Sequence, residues 1–114
     1  MRTAVLEEKK SKFYAFAFEC FDDDEIKKQL EILKKEHKKA THFCYAFRLS
    51  SPFSEKAVDD GEPNGTAGKP ILNVLQKKNL NNICVIVVRY FGGIKLGAGG
   101  LVRAYTKVTS SVLS

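Results

Sequence analysis

Residues 12–21, KFYAFAFECF, alternate in side-chain size at every second position. Tyr14, Phe16 and Phe18 share one face, and Phe13, Ala15 and Ala17 the other, which predicts a strand with an aromatic core face. The acidic run Asp22, Asp23, Asp24 and Glu25 marks a helix start. An Asp cap followed three positions later by Glu is a capping-box variant, and acids suit the positive end of the helix dipole. The helix is predicted to run to about Lys39, with Ile26, Leu30 and Leu33 buried and the lysines on a solvated face. Residues 41–49, THFCYAFRL, alternate again. Phe43, Tyr45, Phe47 and Leu49 are expected in the core. His42, Cys44, Ala46 and Arg48 are smaller and more polar, and are expected on a face open to solvent or to a partner.

Residues 50–65 read as a loop with a short edge strand near 56–59. Pro70 suits a first helical position, so a helix is predicted over 69–78 with Ile71, Leu72 and Leu75 buried. After a turn comes ICVIVV at 83–88, β-branched and apolar on both faces, as a central strand is. Leu101, Ala104, Tyr105, Val108 and Val112 fall at helical spacing in a last helix from about 99 to 113. These elements imply an α+β two-layer sandwich: a four-stranded sheet with helices packed on one face.

At 114 residues the chain is expected to be one domain, 1–114. No apolar run reaches the roughly 20 residues that span a bilayer, and the N-terminus lacks the apolar region of a signal peptide. Three scattered cysteines without a CxxC suggest reduced thiols in a cytoplasmic protein. The charge is uneven. Residues 1–62 hold 12 Lys/Arg and all 13 acids, whereas residues 63–114 hold 7 Lys/Arg and no acid. A basic half attracts polyanions such as nucleic acids.

The segment RYFGGIKLGAGGLVRAY, 89–105, concentrates the candidate chemistry. Gly92, Gly93, Gly97, Gly99 and Gly100 lie between the predicted strand and helix, interleaved with Arg89, Lys95 and Arg103. Such a loop ending at a helix N-terminus suits an anion such as phosphate. Equally, the glycines serve a tight turn and close packing. Asp59, Asp60 and Glu62 cluster in a second loop. They could hold Mg²⁺, order the loop, cap the next helix or pair with nearby cations. His42 and Cys44 share a strand face, a poor geometry for a nucleophile pair. No zinc ligand set is evident. His42 and Arg48 instead suit a polar surface for RNA.

Two segments, DDGEPNGTAGKPIL (59–72) and RYFGGIKLGAGGLVRAY (89–105), closely resemble the signature of the IMPACT/YigZ family, and KATHFCYAFRL (39–49) matches its third block. The resemblance covers essentially the whole chain from Lys12 onward. It implies a fold like the second domain of ribosomal protein S-five and domain IV of elongation factor G. Bacterial members resemble general cytoplasmic proteins, and eukaryotic ones act as translational regulators. Many bacterial relatives carry a second, ferredoxin-like domain. With its end at Ser114, this chain is expected to represent the first domain alone, as a truncation or a short member. The eukaryotic RWD domain is not found in it, so that domain's partner is not carried over.

Two functions follow as expectations. The first is a noncatalytic RNA- or ribosome-associated module regulating translation. Arg89, Lys95 and Arg103 would grip phosphates, and His42 and Arg48 would extend the surface. A protein partner in translation control fits the same residues. The second is an enzyme or binder of a phosphorylated small molecule or nucleotide, with the glycine loop on phosphate and Asp59 or Asp60 on Mg²⁺. No cofactor is expected for the first.

Overall fold

The computed structural model describes all 114 residues. Strand β1 (Arg2–Glu8) turns into β2 (Ser11–Glu19) through Lys9 and Lys10 alone. Both lysines have positive φ, 45° and 66°. That is the conformation of a two-residue hairpin turn usually built from Asn and Gly. Two lysines carry no such turn signal and Val5 is exposed, so the sheet has a strand more than the four expected. Helix α1 (Asp23–Glu36) opens on the expected cap: the Asp22 carboxylate accepts the Glu25 N–H at 3.0 Å, and the Glu25 carboxylate accepts the Phe21 N–H at 3.3 Å. The helix stops at Glu36, before the predicted end.

Strands β3 (His42–Ser50) and β4 (Phe53–Val58) form a second hairpin, longer than the edge strand expected near 56–59. Helix α2 (Gly68–Lys77), strand β5 (Ile83–Tyr90) and helix α3 (Gly97–Val112) complete the chain. Every strand pair is antiparallel, in the order β1-β2-β5-β3-β4. The expected α+β class is therefore present, and β5 is the central strand that its two-sided apolar pattern predicts. No helix is long and apolar enough to cross a membrane.

The two faces of the sheet are covered unequally. Phe13, Ala15, Ala17, Cys44, Ala46, Val85 and Val87 share one face with α2 and α3. Here helices and sheet form the expected two layers. Helix α1, expected beside them, lies instead on the reverse face, where Ile26 and Leu33 meet Phe47, Cys84, Ile86 and Val88. The face expected to be open is the better sealed one: Cys44 and Ala46 are fully buried. Small side chains let two helices settle close to the strands, filling the space that bulk would otherwise take. On the aromatic face a single helix leaves Tyr14, Phe16, Phe18, Phe43 and Tyr45 half-buried.

The β1–β2 turn and the glycine loop touch through backbone. A Cβ at Gly92 would collide with the Lys10 carbonyl, whereas at Gly93 it would meet nothing but would sit at φ +90°. Gly92→Ala is therefore expected to destabilise by about 3 kcal/mol, as overpacking does. Gly93→Ala should cost about 1–2 kcal/mol, for backbone conformation alone. Urea denaturation of the two variants checks the order, and equal losses would contradict the close approach.

Cys20, Cys44 and Cys84 are all buried and unpaired. Burial pushes the Cys20 thiol up from an ordinary 9.0 to about 12 and raises Cys44 and Cys84 as well, by burial first. The folded chain keeps these protons while the unfolded chain loses them above 9.0. Their contribution to stability is thus present below that pH and is lost as pH rises above it. A Cys20→Ala/Cys84→Ala variant should lose less stability over that interval than the parent, and native thiols should react with a thiol reagent only after unfolding.

Candidate functional site

At one end of the sheet, Phe13, Arg89 and His42 lie side by side on β2, β5 and β3. Arg89 belongs to the strand, not to the glycine loop that follows it. The alternation that aims Val85 and Val87 at α2 and α3 aims Arg89 the same way. It is only 4% exposed, so its charge needs a partner close by. Glu62 supplies it. One Arg89 terminal nitrogen donates to both Glu62 carboxylate oxygens, at 2.9 and 2.7 Å, and the other donates to the Ser11 hydroxyl at 3.2 Å. The Tyr105 hydroxyl of α3 also donates to Glu62. Cys44 Sγ lies 3.3 Å from that hydroxyl and donates to the Asp59 carbonyl at 3.0 Å. Burial, with the neighbouring Cys44 and Glu62, raises the Tyr105 hydroxyl far above its ordinary range. It therefore stays a donor.

The other two acids hold the loop itself. Asp59 accepts the N–H groups of Gly65, Ala67 and Gly68 at 2.9, 3.1 and 2.9 Å. Ala67 is the N-cap of α2 and has no side chain for the task, so Asp59 caps the helix from outside it. The Asp60 carboxylate accepts the Phe43 N–H at 2.7 Å, and its carbonyl accepts His42 Nδ1–H at 2.8 Å. His42 Nε2 then faces Glu62 at 3.4 Å. Asp59, Asp60 and Glu62 thus point to separate protein donors, and no three His, Cys, Asp or Glu side chains gather around one point.

The acidic and glycine-rich loops meet around a pocket of about 380 Å³, with His42, Glu62 and Arg89 on one side and Lys95, Gly97 and Ala98 on the other. Phe91, Leu96 and Leu101 give it apolar walls. The helix N-terminus here is bare. Helix α3 begins at Gly97, two residues earlier than predicted, with no capping side chain and no acid in its first turn. The N–H groups of residues 97–99 donate to no acceptor in the protein.

The candidate cations are spread out. Lys95 is exposed and lines this pocket. Arg103 lines a separate cleft of about 250 Å³ with Glu8, Lys9, Gly100 and Lys107. Its guanidinium folds back along α3 to within 3.2 Å of the space that a Gly99 side chain would fill. Arg48 stands at the other end of β3, roughly 20 Å from His42 at strand rise, paired with Glu55 at 3.1 Å. The structure therefore joins His42, Arg89, Lys95 and Gly97 with Glu62, puts Arg103 around the corner and leaves Arg48 apart. Sequence reasoning placed Tyr105 in a core stripe and passed over Ser11 and Phe91. A buried tyrosine needs a hydroxyl partner, and that was the available signal for Tyr105.

Residues 9–113 match the family model of the Impact N-terminal domain. The chain is 47% identical over 106 residues to IMPACT family member YvyE of Bacillus subtilis (strain 168), an alignment covering 92% of this chain and 49% of that protein. It is 42% identical over 106 residues to IMPACT family member YigZ of Escherichia coli (strain K12), covering 90% and 52%. It is 34% identical over 100 residues to Protein IMPACT of Rattus norvegicus, covering 82% and 31%. The chain thus spans about half the length of the bacterial relatives it matches. A crystal structure of a hypothetical protein superposes with a TM-score of 0.93 at 40% identity, covering 98% of this chain and 56% of that one. The two-domain translational regulator Yih1 superposes with a TM-score of 0.65 at 24% identity, covering 98% and 45%, a likeness of fold.

Removing Glu62 leaves Arg89 buried without its carboxylate. Glu62→Ala is therefore expected to cost about 3–5 kcal/mol. Adding Arg89→Met should cost less than the sum of the two single losses. A double-mutant cycle in urea measures this, and additive losses would show that the pair is not coupled.

Proposed function

This chain belongs to the Impact N-terminal domain family, and we propose that it is a noncatalytic RNA- and ribosome-associated binding domain with a role in regulating translation. One observation carries the proposal. Lys9, Lys95, Arg103 and Lys107 line the two concavities on either side of the α3 N-terminus, and none of them pairs with a carboxylate. They outnumber the acids beside them: Glu8 is the one acid in the first cleft, and in the second Glu62 is already held by Arg89. Cations held in this way suit a phosphate backbone, which each of them can neutralise singly.

Exposed Phe91 and Ile94 lie in the same loop. An aromatic ring beside cations suits unpaired bases, which stack on it without regard to sequence. Arg89 supports this surface from below rather than touching RNA, since Glu62 holds its guanidinium. His42 reaches the rim of the pocket, and Arg48 contributes nothing to it. The fold shared with Yih1, itself a translational regulator, and the relation to Protein IMPACT support the cellular role. The ribosome is the partner whose RNA offers such a backbone in abundance.

A labelled structured RNA should bind with an affinity that falls steeply with salt, read by fluorescence anisotropy. Lys95→Ala/Arg103→Ala/Lys107→Ala should weaken binding and flatten the logarithmic salt slope by about 2. Lys27→Ala/Lys35→Ala, on α1 across the sheet, should leave it unchanged. An unaltered slope in the triple variant, or equal loss in the α1 variant, would reject this surface.

A further inference from the structure

The pocket between the acidic loop and the start of α3 differs in kind from the open surface around it. We propose that it seats one phosphomonoester carried on a nucleoside, the phosphate on the first turn of α3 and the nucleoside against the apolar wall. The proposal does not depend on whether the surrounding cations hold RNA.

Two independent observations point to an anion here. The first is the bare N-terminus of α3. Helix α1 is capped by Asp22 and α2 by Asp59, but the N–H groups of residues 97–99 have no protein acceptor. A sixteen-residue helix with three free donors and its positive dipole end at a pocket draws negative charge there. The second is Arg89. It lines the same pocket, is 4% exposed, and its Nε–H has no hydrogen-bond partner. Buried donors are nearly always satisfied, so this one marks a place where an acceptor is missing. The Phe91 ring lies over that guanidinium at 5.5 Å and is itself 46% exposed.

The charges in the pocket favour the same ligand. Glu62 and Arg89 cancel one another, which leaves Lys95 and the helix dipole as the net field. A terminal phosphate with two ionised oxygens gains more from that field than a backbone diester with one. The remaining wall, Pro63, Phe91, Leu96 and Leu101, cannot bond to phosphate. It suits the flat, weakly polar body of a nucleoside. About 380 Å³ lies within the range of small-ligand pockets. A free nucleotide and the phosphorylated end of an RNA strand present the same group.

The test uses the isotope-labelled chain, with adenosine 5′-monophosphate, inorganic phosphate and adenosine as probes. The monophosphate should shift the amide signals of residues 95–100 saturably. Inorganic phosphate should do so more weakly, and adenosine should not shift the amides of α3. Lys95→Ala should weaken the monophosphate about tenfold, the loss of one charge-assisted contact. Lys27→Ala/Lys35→Ala, on α1 across the sheet, should leave it unchanged. Preference for a 5′-phosphorylated RNA over its 5′-hydroxyl form, with competition by the monophosphate, would identify a strand end as the source. Equal binding of the two RNAs beside a saturable monophosphate would identify a free nucleotide. Absence of shifts at millimolar monophosphate, unchanged affinity in Lys95→Ala, or inorganic phosphate binding as tightly as the nucleotide would overturn the proposal. Loss of RNA binding alone would sink the RNA function and leave this pocket standing.

Discussion

Much of this molecule is arranged around one buried ion pair. Arg89 is on the central strand and Glu62 is on a loop between β4 and α2. Their union ties that loop to the middle of the sheet, and Tyr105 ties α3 to the same carboxylate. Taking two such charges from water costs several kcal/mol each, so the pair survives because its geometry is good and its spare atoms are nearly all bonded. Its role is one of position. With Glu62 fixed, Asp59 lies beneath the start of α2 and Asp60 beside the start of β3. The acidic loop becomes a rigid wall facing the glycine loop.

The sheet beneath explains why that wall can stand where it does. Ala15, Ala17, Cys44 and Ala46 give a shallow floor, so α2 and α3 lie low and both begin near the same sheet end. A bulkier floor would lift α3 and pull Tyr105 from Glu62. The aromatic face, by contrast, is deep and only partly roofed by α1. Size contrast between the two faces therefore decides which helices go where, and with it the location of the pocket.

Local signals were legible in the sequence and distant ones were not. Asp22 and Glu25 show the start of α1, and the two-sided run at 83–88 shows a central strand. The first strand stayed hidden because its turn is Lys9–Lys10. Small residues beside histidine and arginine on β3 resemble a solvent face, and only the presence of two helices makes that face the sealed one. The glycine motif drew attention to Arg89, Lys95 and Arg103 as a set. Yet the period of two along β5 already turned Arg89 inward, and helical winding carries Arg103 to the neighbouring cleft. Asp59 capping α2 was among the open alternatives, and the lack of any cap at Ala67 made it the one that physical accounting requires.

The strand order also has a consequence for how the chain is made. Strand β5 is the last to be synthesised, yet it lies between β2 and β3. Until it emerges, β1–β2 and β3–β4 are separate ribbons, each with an inner edge whose backbone groups are unpaired. Neither ribbon has a finished helix layer, and Glu62 has no arginine to meet. The arrival of a single late segment joins both halves into one five-stranded sheet, through pairings distant in sequence. Translation rate across that segment thus sets how long its sticky edges stay exposed.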